Sequence, residues 1–170
     1  MLKKETKNIH FIGIGGIGMS GIAELLYFQG FRISGSDLVE SDRTNYLLKL
    51  GIKIIIGHSS KNIKNPDFVV YSSAVNMDNI EIITSKNKNI PIVRRAEMLG
   101  ELLKLKKISI AISGTHGKTT TCSMLSSILV EANLNPTVII GGIVNNFGSN
   151  AMSGGGDIIV VEADEFDRSF

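Results

Sequence analysis

A chain of 170 residues with 43% hydrophobic content can bury a substantial core and lies at the border between one domain and two. Its 18 basic and 16 acidic residues are interspersed for a net charge of +2, so no basic stripe marks a nucleic-acid surface, while small anionic ligands stay open. The single cysteine, Cys122, excludes an internal disulfide framework and fits a reducing compartment. No stretch reaches the roughly 18 uninterrupted apolar residues of a membrane span. Met1-Leu2-Lys3-Lys4 resembles the start of a signal peptide, but Gly13, Gly15, Gly16 and Gly18 break the apolar stretch behind it. The expectation is a cytoplasmic α/β protein with neither membrane nor nucleic acid as a partner.

Residues 9–12 read as a first strand that ends in Gly13-Ile14-Gly15-Gly16-Ile17-Gly18, a G-x-G-x-x-G spacing at 13, 15 and 18. Residues 17–28 follow as a helix, with Ile22, Leu25, Leu26 and Gln29 in threes and fours and Gly30 as its stop. A strand over 31–34 closes on Gly35-Ser36-Asp37. The acid lies about 20 positions past the glycines, where a carboxylate can accept hydrogen bonds from ribose hydroxyls. Ser41 fits the N-cap of a helix through Leu50, and Gly51 its C′ residue. Strand 53–56, the polar loop Gly57-His58-Ser59-Ser60 and strand 67–71 come next. These strands have few polar interruptions, as expected where helices cover both faces of a parallel sheet. Ser72-Ser73-Ala74 then stands at a strand's carboxyl end, the ligand edge of an open α/β sheet. A helix over 77–87, a break at Pro91, a strand over 90–93 and an amphipathic helix over 94–104 (Ala96, Leu99, Leu102 and Leu103 inward) complete the first unit. A boundary near Leu105-Lys106-Lys107 separates residues 1–105 from 106–170.

The grammar then restarts. Strand 107–113 leads into Gly114-Thr115-His116-Gly117-Lys118-Thr119-Thr120, and a helix runs from 118 to about 133. Gly114 and Gly117 let the backbone curl so that amides point inward, the helix adds the positive end of its dipole, Lys118 supplies a charge for phosphate oxygens, and Thr119 supplies a hydroxyl of the kind that holds Mg²⁺. The strict phosphate-loop pattern places a glycine at 112, where this chain has Ile112; a glycine turn with a solvated lysine gives the same shorter pattern. Strand 137–140, a glycine- and asparagine-rich loop over 141–156 and strand 157–161 follow. The last strand ends on Glu162-Ala163-Asp164-Glu165. Glu162 is the favoured Mg²⁺ ligand, Asp164 and Glu165 are lesser ones, and solvated strand-end acids are the plain alternative.

His58 is a candidate contact to a base or ribose, His116 a loop residue whose backbone matters more than its ring, and His10 a core or sheet-end residue. Arg94 and Arg95 can meet phosphate or a carboxylate, or serve as surface ion-pair residues. Asn145, Asn146 and Asn150 are turn residues whose loop can reach a substrate. A dehydrogenase needs one dinucleotide site and no lysine-threonine loop, which disfavours an NAD-dependent oxidoreductase.

The segment from His10 to Gly21, Ser34-Gly35-Ser36-Asp37, Tyr71-Ser72-Ser73-Ala74-Val75, Arg94-Arg95-Ala96-Glu97-Met98-Leu99, the loop Gly114 to Thr121, and Glu162-Ala163-Asp164-Glu165 jointly resemble the Mur ligase family, in its order and over nearly the whole chain. The resemblance implies a Rossmann-like, parallel-sheet UDP-binding domain followed by the start of a P-loop ATPase α/β domain. It implies UDP-N-acetylmuramate at the first unit, with Gly15, Gly16, Ile17, Gly18 and Met19 at the diphosphate and Ser36, Asp37 and Ser73 near ribose or uracil. At the second it implies ATP on Gly114, Thr115, His116, Gly117, Lys118, Thr119 and Thr120, with Thr119 and Glu162 holding Mg²⁺. The reaction implied is ligation of L-alanine to the muramoyl carboxylate through an acyl phosphate, in peptidoglycan precursor synthesis, with Lys118, Thr119 and Glu162 as the catalytic set. Family members are longer, so this chain is expected to bind the nucleotide sugar without ligating, and its second sheet to have an unpaired edge that invites association. The alternative from another class is a noncatalytic nucleotide-sugar-binding module.

Overall fold

A computed structural model describes residues 7–144 and 149–163. The chain forms two compact units, Met1–Met98 and Leu99–Phe170, and the division falls inside helix α4, Arg95–Leu103. In the first unit β1 (Asn8–Ile12), β2 (Arg32–Asp37), β3 (Lys53–Ile56), β4 (Phe68–Tyr71) and β5 (Ile92–Arg94) make one parallel sheet in the order β3-β2-β1-β4-β5. The order reverses between β1 and β4, which is where such sheets open a crevice at their carboxyl edge.

Helix α1, Ile17–Phe28, has the bounds its apolar spacing dictates, and Gly30 takes the left-handed φ of 91° behind it. Helix α2, Asp42–Lys49, opens on a capping box in which the Ser41 hydroxyl accepts from Thr44 N–H and Thr44 reciprocates at the Ser41 amide. Helix α3, Ile80–Asn87, begins three residues later than the apolar Met77 suggests, because the Asn79 side chain caps it at Glu81 N–H (2.8 Å). Strand β2 runs past residue 34 to Asp37, since Ser36 pairs with Ile12 on one side and Ile55 on the other. The crossover from β3 to β4 contains only a 3-10 turn, Ser60–Asn62.

Side chains alternate along these strands, so His10, Ile12, Ser34, Ser36, Val69 and Tyr71 share one face of the sheet. Ile12, Val69 and Tyr71 pack there with Ile63 of the crossover and Ile82 of α3. Ile9, Phe11 and Val70 point to the other face and are fully buried.

In the second unit β6 (Ile108–Ile112), β9 (Ile158–Glu162) and β7 (Thr137–Val144) are parallel neighbours, and β8 (Ser149–Met152) joins the outer side of β7 antiparallel. The expected loop over 141–156 is therefore corrected: it contains the end of β7 and all of β8. Glycine and asparagine lower strand propensity, but an edge position with an irregular register between Ile139 and Val144 tolerates them, and β8 gives Val138, Ile139 and Val144 of β7 a partner on its outer side. Helix α5, Lys118–Glu131, packs on β6, β7 and β9 around Cys122, Val138, Ile140 and Val160. Strands β6 and β8 stand at the two ends of the sheet. Among the described residues no helix is long and apolar enough to cross a membrane.

Gly35 sits where a Cβ would come 2.5 Å from Ile14 Cδ1 and 2.9 Å from Phe11 O. Gly35→Ala is expected to destabilise the first unit by about 1–3 kcal/mol through overpacking, read as a lower urea midpoint at unchanged slope.

Candidate functional site

At the carboxyl edge of β1 the chain turns through Gly13, whose φ of 78° favours glycine, and the amides of Gly13 and Ile14 both donate to Ser36 O. Gly15 N–H donates to Asp37 Oδ2 at 2.7 Å and Leu38 N–H to Asp37 Oδ1 at 2.8 Å, so the acid read as a ribose contact also fastens the glycine turn to the end of β2. Gly16 caps α1 with no side-chain hydrogen bond, and the first turn of α1 carries no acid, which leaves the positive end of the helix for an anion. The missing Cβ of Gly18 leaves room for Arg95, whose guanidinium lies against it. Of the two arginines read as phosphate candidates, Arg95 is thus beside the turn, whereas Arg94 donates its Nε–H to Tyr71 Oη. Ile17 and Ser73 are exposed, while the Met19 side chain is in the core.

Beneath this edge lies a group the sequence reading missed. Glu81 of α3 has no exposed surface, and its carboxylate accepts from Ser36 Oγ (2.6 Å) and His10 Nε2 (3.1 Å) on one oxygen and from Ser59 N–H (3.1 Å) and Asn62 Nδ2 (2.5 Å) on the other. His10 closes its second nitrogen on Ser34 Oγ (2.9 Å), and His58 places Nδ1 3.1 Å from Ser36 Oγ. Burial by itself would push the Glu81 carboxyl up, but the hydrogen bonds from His10, Ser36, Asn62 and the Ser59 amide outweigh it and hold the group at about 2. Ser36 is completely buried and its hydroxyl is spent on Glu81 and His58, so it supports the ligand edge from below.

In the second unit Gly117 takes φ 76° and caps α5, again without a side-chain bond or an acid in the first turn. Lys118 Nζ donates to Gly114 O at 2.6 Å across the loop. Because β6 and β9 are paired, with Ala163 N–H on Ile112 O, Glu162 arrives beside the start of α5 and accepts from Thr119 Oγ1 at 3.1 and 3.0 Å on its two oxygens. Thr115, His116 and Thr120 are exposed, and the His116 ring lies 3.3 Å from the hydroxyl of its neighbour Thr115. Burial, then the Glu162 charge, pushes the Cys122 thiol up to about 11, which makes it a core residue rather than a nucleophile. Asn145, Asn146, Asp164 and Glu165 lie outside the described residues, and Asn150 falls in β8.

The sheet order and the first glycine turn define an α/β protein with a Rossmann-like parallel sheet. A family model described as the Mur ligase family, catalytic domain, matches residues 8–107, and the chain belongs to the Mur ligase family. Similar proteins include the UDP-N-acetylmuramate–L-alanine ligases of Herminiimonas arsenicoxydans (53% identical over 169 residues, 99% of this chain and 36% of that protein) and Aquifex aeolicus (55% over 170 residues, 100% and 37%). Among solved structures, the UDP-N-acetylmuramate-alanine ligase MurC of Thermotoga maritima superposes with a TM-score of 0.85 at 39% identity, covering 91% of this chain and 37% of that one. The UDP-N-acetylmuramate:L-alanyl-gamma-D-glutamyl-meso-diaminopimelate ligase of Neisseria meningitides gives 0.86 at 32% identity, covering 95% and 54%. The chain spans little more than a third of the length of the curated relatives it matches.

Because the Glu81 carboxyl is held at about 2 against an ordinary 4.5, its ionised form contributes stability that is fully present above the ordinary value and is lost as pH falls toward the folded one. Thermal unfolding followed downward from neutral pH is expected to show Tm falling between about 4.5 and about 2, with that part of the fall reduced in Glu81→Gln.

Proposed function

We propose that this chain is the nucleotide-sugar-binding unit and phosphate-loop portion of an ATP-dependent ligase that joins L-alanine to the carboxylate of UDP-N-acetylmuramate, in cytoplasmic peptidoglycan precursor synthesis. The observation that carries the reading is the Thr119–Glu162 pair set beside the lysine loop, in a chain that also builds a separate glycine turn on a parallel sheet. The names of the relatives supply the substrates.

At the first unit the uncapped start of α1, with Arg95 alongside, suits a diphosphate, and Asp37, His58 and Ser73 are the side chains assigned in this reading to ribose and uracil. At the second, the donor set fits Mg²⁺. A hydroxyl and a carboxylate in contact are hard oxygen ligands, and no cluster of three His, Cys, Asp or Glu side chains occurs among the described residues, so phosphate oxygens and water would fill the other positions. Thr119 and Glu162 would hold the ion, which would supply charge neutralisation on the phosphate oxygens. Lys118 exchanges its Gly114 carbonyl for a phosphoryl oxygen and steadies the group in transfer. The muramoyl carboxylate takes the γ-phosphoryl group of ATP, and the amine of L-alanine then displaces phosphate to leave an amide. These residues position and neutralise, which is most of what phosphoryl transfer asks of a protein.

Since the chain covers only 36–37% of the ligases it resembles, it is expected to bind ligands without turning over. The same fact favours the second reading, a nucleotide-sugar-binding module, for the isolated chain. Parallel calorimetric titrations are expected to show UDP-N-acetylmuramate binding, no NAD binding, and Mg-ATP binding that Lys118→Ala weakens by roughly 10- to 100-fold while leaving the nucleotide sugar untouched. Unchanged ATP affinity in that variant would remove the loop from the reading and leave the binding module. Phosphate release with all substrates present would refute the expected lack of turnover.

A further inference from the structure

The hydrogen-bond chain under the ligand edge fixes more than position. Ser36 has a single hydroxyl hydrogen, and the short 2.6 Å contact to a carboxylate oxygen, which can only accept, assigns that hydrogen to Glu81. Ser36 Oγ is then an acceptor toward His58, so the His58 Nδ1 that lies 3.1 Å away must be the donor and carry a proton. Glu81 Oε1, 3.5 Å from the same Nδ1, favours the same placement. In the neutral imidazole the other nitrogen, Nε2, is consequently a bare acceptor, and it makes no hydrogen bond among the described residues. His58 follows β3 on the carboxyl side of the sheet with 12% of its side chain exposed.

Neither the His10 ring nor Asn62 can reverse this polarity. His10 Nε2 and Ser36 fill one carboxylate oxygen, and Asn62 with the Ser59 amide fills the other, so each oxygen already holds two donors and no donor is left over to supply Ser36 with a competing proton.

We propose that Glu81 is a positioning residue which, acting through Ser36, holds neutral His58 in its Nδ1–H form and so presents Nε2 as the acceptor for the N3–H of a uracil ring. The inference rests on the reading of the first unit as a uridine-nucleotide site, and it makes His58 a determinant of base choice. Uracil offers a donor at N3, whereas cytosine offers an acceptor there, and two acceptors face to face leave a polar atom unpaired.

The tautomer is read from the ¹⁵N shifts of His58 in the full 170-residue chain. The expected result at a pH where the ring is neutral is a protonated, pyrrole-type Nδ1 and a pyridine-type Nε2, the latter moving on addition of UDP. Titration with UDP and CDP is expected to favour UDP by at least about tenfold. In Glu81→Gln the amide can donate to Ser36, whose hydrogen then turns to His58 Nδ1. The ring is expected to switch to Nε2–H, and the UDP preference to shrink or invert. A pyridine-type Nδ1 in the unsubstituted chain, or equal affinity for UDP and CDP, overturns the proposal and does so without any variant having to fold. Absence of binding to either nucleotide overturns the uridine-site reading itself, whereas UDP binding with the wrong tautomer overturns only the role of Glu81.

Discussion

An ionised carboxylate buried without a cation costs several kcal/mol unless its lone pairs are filled, and Glu81 fills all four. The donors come from β1, β2 and the segment between β3 and β4, while the acid itself comes from the first turn of α3. That arrangement solves a problem created by the topology. A parallel crossover ordinarily lays a helix over the sheet, and here the β3–β4 connection has only one 3-10 turn to lay down. Ile63 is the one large fully buried apolar side chain the turn and its flanks contribute, so polar bonds to Glu81 do much of the docking that apolar area does elsewhere. Removing one partner of such a group leaves the others facing an unsatisfied atom, which is why the cluster behaves as a unit.

The second unit reaches its charged pair by a different route. Its site follows from strand adjacency alone: once β6 lies beside β9 in parallel register, the residue after the loop and the residue at the strand end must meet, and Thr119 meets Glu162. Lys106, which sequence places in a linker, closes the other end of the same sheet by donating to Gly154 O (2.8 Å) and Gly156 O (2.7 Å). Gly154 and Gly156 have no room for a Cβ, because the carbonyls of residues 134–136 press against them. A lysine at the expected domain boundary and two glycines of the expected 141–156 loop are thus a fitted corner of the fold.

These cases mark what could be read from the chain before its coordinates. Helix α1, strand β3 and the two glycine turns were legible because periodicity and glycine spacing are local signals, and the cap at Ser41 was legible for the same reason. Glu81 was not. Its spacing suits the solvated face of a helix, and nothing nearby shows that His10, 71 positions away, and Ser36, 45 positions away, converge on it. The isolated polar residues His10, Ser34 and Ser36 on one face of otherwise apolar strands were the available signal: period-two spacing puts them in a row, and a polar row facing a core demands a partner. Strand β8 was hidden by composition, since its pairing depends on β7 needing a neighbour rather than on its own propensity.

The two glycine turns also differ in charge. The first has no lysine in its loop; Gly15 N–H is held by Asp37, and the nearest cation is Arg95, brought in from α4. Amides, a helix end and one planar guanidinium suit an anion of fixed charge. The second carries Lys118 on the loop itself and the Glu162 carboxylate on the facing strand, so both signs of charge meet at the start of α5. With its ammonium resting on Gly114 O, Lys118 stays in the loop without a ligand, and one carbonyl bond is little to give up for a charged phosphate. The first turn is thus built mainly from backbone groups and a helix end, and the second from charged side chains carried by the loop and the neighbouring strand, so substitution of single side chains reaches the second far more directly than the first.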